Sequence, residues 1–308
     1  MLDIPIEETT FSRRGFHRGD PRAVETLEGA AASFHHGYTT ALEAPTKVAE
    51  TFPRQTGPNA GFVYEGAAMA LCLSDALSLP TRDDFSRFLR SSARTSPYTS
   101  YVGAGWALAR LPRMLWRPVL RQLDPLLGWL AWDGLGFHDL FFGRSEEPDS
   151  ALTGYARVAM AQGTGRALWF TCCADPDLIA RAVLRRPPEQ ARHLWSGVAL
   201  AAVFAGGAPD RIERLRELAP EHAGPMAQGA AFAAKALLTL GPVPPQAEPA
   251  VTILCGVGVE RASQVVDEEW ALLPPARPGG APRRGLPVYE LWRQAIATRL
   301  SKAVQSAS

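Results

Sequence analysis

Apolar positions along the chain recur at helical spacing, and a longer period is superposed on them. A glycine among small residues sits inside one apolar segment after another: HHGYTTAL, YEGAAMAL, YVGAGWALA, WDGLGFHDL, AQGTGRALW, WSGVALAA, AQGAAFAAKA and LCGVGVERA. Gly37, Gly66, Gly103, Gly134, Gly163, Gly197, Gly229 and Gly256 stand about 31 residues apart on average, the length of a helical hairpin in repeat proteins. Between the boxes run amphipathic segments such as DPDLIARAVL and APDRIERLREL. Asp175-Pro176 and Pro209-Asp210 mark helix starts there, because proline fits the first helical turn and aspartate can cap it. Period-two alternation is nearly absent outside the N-terminal end. The pattern predicts an all-α fold of helical-hairpin repeats, eight units stacked as a solenoid or closed into an α/α toroid. Residues 1–20 are expected as an extended arm, 21–273 as the repeat domain and 274–287 as a Pro/Gly linker. A capping helix over 288–304 follows, with Val288, Leu291, Trp292, Ile296 and Leu300 at helical spacing.

Aligning the boxes on their glycines turns the repeats into columns. Four residues on stand Ala41, Ala70, Ala107, Ala167, Ala201 and Ala233. Glycine and alanine at i and i+4 share one helix face, so this face lets neighbouring helices approach closely. A second i,i+4 stripe is chemically mixed. Just before the glycines stand His36, Glu65, Val102, Asp133, Gln162, Ser196, Gln228 and Cys255. Three residues after them stand Thr40, Met69, Trp106, Phe137, Arg166, Leu200, Phe232 and Val259. Polar groups interleaved with aromatics on the inner side of a superhelix would line a groove or pocket; alternatively, the polar members brace helix starts.

Composition narrows the function classes. The 308-residue chain is 46% hydrophobic and carries a formal charge of +1, without the basic excess of a nucleic-acid binder. The most apolar stretch, Leu123 to Phe142, contains Asp124, Asp133, His138 and Asp139, which argues against a membrane span. The opening MLDIPIEETTFSRRGF lacks the apolar run of a secretory signal, so the expected location is the cytoplasm. Cys72, Cys172, Cys173 and Cys255 have neither metal-ligand nor disulfide spacing. His35 and His36 are adjacent and would point about 100° apart on a helix. No phosphate loop, nucleophile elbow or zinc motif is present. The G-x-G in VGAGWA, DGLGFH and QGTGRA lacks a preceding strand, so helix contact explains it better than dinucleotide binding. No cofactor and no metal are expected.

The candidate chemistry lies in three boxes. Glu65 would be half-buried, where desolvation raises a carboxyl pKa toward general-acid use. Asp133 opens the helix that carries His138, and His138 replaces the alanine of the small column. Arg166 projects from mid-helix and needs an acidic partner or an anionic ligand. Glu65, Asp133 and His138 are the candidate catalytic groups. Tyr101, Trp106, Phe137, Gln162, Arg166, Trp169 and Gln228 are the candidate substrate-binding groups. An internal Glu65–Arg166 or Asp133–Arg166 ion pair is the purely architectural alternative.

The run FSRRGFH, then YEGAAMA, YVGAGWALARLP, DGLGFH, QGTGRALWF, SGVALAAVFAGG and PVYELWRQAI resembles the uncharacterised bacterial family called domain of unknown function 1702. Glu65, Gly66, Tyr101, Trp106, Asp133, His138, Gln162, Arg166 and Trp169 occupy the strongest boxes. The resemblance implies secondary metabolism, since family members occur in gene clusters for enediyne polyketides and related products, mostly in actinomycetes. The expected function is a cofactor-independent cyclase or isomerase acting by acid–base chemistry on a hydrophobic unsaturated intermediate, a polyene or an isoprenoid. The alternative is a non-catalytic helical-repeat protein that binds, shields or scaffolds an intermediate or partner enzymes.

Overall fold

Helix starts are where the sequence marks them. Asp20 accepts from the Arg22 amide at 2.9 Å ahead of Pro21, and Asp175 accepts from the Leu178 amide at 2.9 Å ahead of Pro176. Pro209 opens its helix too, but Ala208 holds the cap position and Asp210 lies in the first turn. The computed structural model describes residues 2–78, 82–143, 154–275 and 285–307, and these contain helices and no strand.

Seven of the eight glycines lie inside helices. Gly37 is in Pro21–Glu43, Gly66 in Ala60–Leu77, Gly103 in Pro97–Arg110 and Gly134 in Trp129–Phe141. Gly163 is in Tyr155–Thr171, Gly197 in Ala191–Phe204 and Gly229 in Ala223–Leu240. Each helix is named below by its glycine, and each packs mainly on its predecessor and successor in this series. The glycines are the contact points. A methyl group on Gly103, Gly134, Gly163, Gly197 or Gly229 would land on a backbone carbonyl oxygen of the preceding helix: Glu65, Val102, Asp133, Gln162 or Ser196 respectively. Those are the residues just before the previous glycine, so the register repeats from helix to helix. The second glycine of each G-x-G faces the other way. Methyl groups on Gly105, Gly136 and Gly165 would meet the carbonyls of Ala131, Met160 and Leu194 on the following helix. The motif therefore lets one helix touch both neighbours backbone to backbone.

The eighth box departs from the expected repeat. Gly256 is not inside a helix; it ends Ala247–Cys255 in the left-handed region at φ 68°, a conformation that favours glycine. The N-terminal end also differs from an extended arm. A 3-10 turn at Ile6–Thr9 and a helical turn at Phe11–Arg14 occupy it, the latter capped by Thr10 and closed by Gly15. In the second half, the connecting helices Pro176–Leu184, Pro209–Leu218 and Ala247–Cys255 pack on one another as an outer row.

Val288–Ala307 packs back against the Gly229 helix and Val259–Ala271, burying Tyr289, Trp292, Ile296 and Leu300. Leu291 instead faces outward at 40% exposure. Residues 276–284 of the expected linker lie outside the described residues. One described helix, Ala60–Leu77, is long and apolar enough to cross a membrane, yet 83% of that window is buried against other parts of the protein, the situation of a core helix.

Candidate functional site

From Glu65 to Phe232 the mixed stripe turns inward, whereas His36 at its start is exposed. Glu65, Val102, Asp133, Trp106, Phe137, Arg166, Leu200 and Phe232 all line one or both of two apolar cavities. The small column forms the packing layer instead, with Ala41, Ala70, Ala107, Ala167, Ala201 and Ala233 buried. Empty space, counting the openings to solvent, amounts to about 540 Å³ in the first cavity and about 560 Å³ in the second. Both are narrow slots.

Between the cavities lies a buried charge cluster that spans three helices. Arg166 of the Gly163 helix donates from Nη1 to Asp133 Oδ1 of the Gly134 helix at 2.5 Å. Its Nη2 stands 3.6 Å from Glu65 Oε2 of the Gly66 helix. Trp106 Nε1 donates to Glu65 Oε1 at 2.8 Å, and the Arg166 guanidinium lies over the Phe137 ring, 5.1 Å from its centroid. Of the two pairings suggested by the sequence, Asp133–Arg166 is a direct hydrogen-bonded contact and Glu65–Arg166 a longer approach to the same arginine. Glu65 lines both cavities.

Two carboxyls sharing one guanidinium in an apolar interior cannot both ionise without leaving net charge. Burial pushes Glu65 up to about 7, against the opposing pull of Arg166 and with further help from the Asp133 charge. Burial raises Asp133 too, opposed by Arg166, to which it is directly bonded. The favoured arrangement is an Asp133–Arg166 ion pair beside a protonated Glu65. Oε1 of Glu65 accepts from Trp106, whereas Oε2 makes no hydrogen bond within ordinary distance, its nearest donor being Arg166 Nη2 at 3.6 Å.

The Glu65 proton links stability to pH. The folded pKa lies above the ordinary value of 4.5, so the folded state binds this proton more tightly than the unfolded chain. The stability it contributes is full below about 4.5 and is lost as pH rises through about 7. Glu65→Gln, a neutral mimic, is expected to flatten the fall in urea stability between those limits by on the order of 2–3 kcal/mol. An unchanged pH profile would contradict this assignment.

The remaining sequence candidates sit elsewhere. His138 is fully buried in the packing layer, its ring 5.4 Å from that of Trp106 and 4.6 Å from that of Phe142; it lines neither cavity. Its Nδ1 stands 3.6 Å from Asp139 Oδ1. The Tyr101 hydroxyl accepts from the Asp124 amide at 3.4 Å, toward the connection between two helices. Trp169 donates to the Gly206 carbonyl at 3.3 Å and is wholly buried. Gln162 is buried with neither amide atom hydrogen-bonded.

Gln228 belongs to a second buried network built on the C-terminal helix. Its Oε1 accepts from Ser196 Oγ at 2.8 Å and from Arg293 Nε at 3.1 Å. Arg293 also meets Glu290 at 3.1 Å and His193 Nδ1 at 3.1 Å, and the Tyr155 hydroxyl donates to Glu290 at 2.6 Å. Burial, then the adjacent Arg293 charge, pushes His193 down to about 3, leaving the imidazole neutral. Burial alone would raise Glu290, but Arg293 and the Tyr155 bond outweigh it and hold the carboxyl low. Sequence reasoning missed this cluster. The available signal was Glu290 and Arg293 at i,i+3 beside Tyr289, Trp292 and Ile296 on one apolar face.

The first cavity is mostly aromatic, with Trp106, Phe137, Phe141 and Phe170 as walls, and the N-terminal turn at Ile4, Glu8 and Thr9 covers one side. That turn is tied down by His35 to the Ile4 carbonyl at 2.7 Å and by Arg14 to the Phe141 carbonyl at 2.7 Å. No group of three or more histidine, cysteine, aspartate or glutamate side chains suited to a metal ion occurs among the described residues. Fold and site together define a protein, all-helical among the described residues, with a buried carboxyl of raised pKa between two apolar cavities. The chain belongs to the family described as protein of unknown function (DUF1702), whose model matches residues 1–300. No curated protein and no solved structure matches it.

Proposed function

We propose that this protein is a cofactor-independent cyclase or isomerase that protonates a hydrophobic polyene, conjugated or isoprenoid, in the aromatic cavity. The observation that carries this reading is the Glu65 carboxyl: buried between the two cavities, pushed up to about 7 so that it exchanges its proton near neutral pH, with Oε2 bonded to nothing closer than Arg166 Nη2 at 3.6 Å. In this reading the helices curl into a curved repeat stack around the two cavities, a shape supported by contact of the Gly66 helix with the Gly229 helix. The natural setting is a bacterial natural-product pathway such as enediyne biosynthesis, and the location is the cytoplasm.

The chemistry is proton-neutral overall. Glu65 Oε2–H gives its proton to one carbon of a C=C bond, leaving a carbocation on the other carbon. The π faces of Trp106, Phe137, Phe141 and Phe170 stabilise that cation while the narrow slot excludes water. The electron pair of a second C=C closes the ring or, in an isomerisation, none does. Loss of a proton to the Glu65 carboxylate restores both an alkene and the acid, so the product is an isomer of the substrate. Asp133 and Arg166 position Glu65 and keep the counter-charge fixed. Their fixed pairing is why a proton can leave and return without a change in the rest of the cluster.

The test uses purified protein and extract from a producing strain deleted for it, followed by mass spectrometry. A product of unchanged mass and altered retention is expected with the native protein. Glu65→Gln is expected to lower its formation by about 10²–10⁴-fold, the usual scale for losing a general acid. Full activity in that variant would refute the acid assignment. Retention of the intermediate without conversion would favour a binding or shielding protein.

A further inference from the structure

The second cavity poses a separate chemical question. Its walls are mostly apolar, with Leu127, Leu130, Leu200, Phe204, Phe232 and Trp292 from five helical or connecting segments beside the charged Glu65, Arg166 and Lys235. Yet Tyr289 and Asp133 line it as well, and each carries a polar atom with no hydrogen-bond partner: the Tyr289 hydroxyl and Asp133 Oδ2. Both residues are buried, at 1% residual exposure each. Leaving such groups unpaired is unfavourable by about 1–3 kcal/mol apiece, and the Arg166, Arg293 and Glu290 networks beside them do not satisfy either atom.

We propose that the second cavity is a binding site for an amphiphile that carries a hydroxyl group. Asp133 Oδ2, the free oxygen of an ion-paired carboxylate, can only accept a hydrogen bond; the Tyr289 O–H has a hydrogen to donate. A hydroxyl has both the hydrogen that Asp133 Oδ2 can accept and the lone pairs to which Tyr289 can donate. A carbonyl would leave the aspartate oxygen unpaired. A carboxylate would bring a third acid beside Glu65 and Asp133 on Arg166, and Lys235, the other cation of the lining, is already paired with Asp267 at 2.7 Å. The hydrocarbon portion lies along Leu127, Leu200, Phe204 and Phe232. This site does not rest on proton transfer by Glu65, and its occupancy is measurable without turnover.

The experiment is calorimetric titration of the full chain with 1-decanol, decane and decanoate at pH 7.5. 1-Decanol is expected to bind about tenfold or more tightly than decane, the scale of one or two satisfied buried hydrogen bonds. Tyr289→Phe is expected to remove that preference while leaving decane binding unchanged. It deletes only an oxygen that bonds nothing in the free protein. Leu200→Trp, which fills the cavity, is expected to abolish binding of both. Equal binding of alcohol and alkane to the native protein, tightest binding of decanoate, or no binding at all would overturn the proposal. So would an unchanged alcohol preference in Tyr289→Phe. The comparison on native protein requires no variant, so a folding defect in either substitution leaves the proposal open to refutation. Loss of turnover in Glu65→Gln alongside intact alcohol selectivity would separate this site from the proton chemistry.

Discussion

Arg166→Met is expected to destabilise the protein by about 3–5 kcal/mol at pH 8, the scale for breaking a buried ion pair from one side. The side chain is 6% exposed and is the hydrogen-bond donor that Asp133 Oδ1 shares its charge with. Its removal leaves two carboxyls among aromatic rings with no counter-ion, so both must take up protons for the chain to stay folded. The loss should therefore shrink as pH falls toward 5, because the protons become available. Replacing Glu65, Asp133 and Arg166 together by Gln, Asn and Met should restore most of the stability, since an uncharged set has nothing to neutralise. Urea titrations of the single and triple variants at both pH values check this. A single variant as stable as the native protein at pH 8 would mean that the guanidinium does not balance the pair.

The second large effect concerns the glycine contacts. Gly163→Ala is expected to cost about 3 kcal/mol or more, the upper range for overpacking. Its methyl group would collide with the Asp133 backbone carbonyl, which cannot rotate aside as a side chain can. Relief requires moving the Gly163 helix away from the Gly134 helix, which also pulls Arg166 from Asp133. Gly29→Ala is the internal control. That glycine is helical too, but its nearest neighbour would be the Asn59 amide at 3.7 Å, an ordinary contact. There, alanine should stabilise the chain by about 0.5–1 kcal/mol through helix propensity. Melting temperatures of the two variants should thus move in opposite directions. A shared direction would mean that helix propensity, not close approach, governs the box glycines.

Much of this was legible in the residues because the period is carried by glycines that do one job. A glycine that must meet a carbonyl on the next helix, followed by alanine one turn later, leaves a column visible without coordinates. The inward stripe followed from the same register, and with it Glu65, Asp133, Arg166, Trp106 and Phe137. Gly256 broke the pattern because a left-handed cap and a helix-contact glycine look alike in sequence. His138 misled for a related reason. A large ring in an alanine column suggests a cavity, yet the layer accommodates it against Trp106 and Phe142. Tyr289, Glu290 and Arg293 were hidden because they belong to a helix outside the repeat. Nothing local says that this helix docks beside Gln228 and Ser196, about 60–100 residues earlier in the chain.

Glu65 should carry a proton in the protein interior well above the pH at which ordinary glutamates ionise. Infrared titration of the carboxylic C=O stretch, on protein with ¹³C-labelled glutamate, reads that proton directly. The expected result is one buried glutamic acid band that persists above pH 5, disappears with a midpoint near 7, and is missing from Glu65→Gln. A spectrum in which every glutamate has ionised by pH 5 would contradict it.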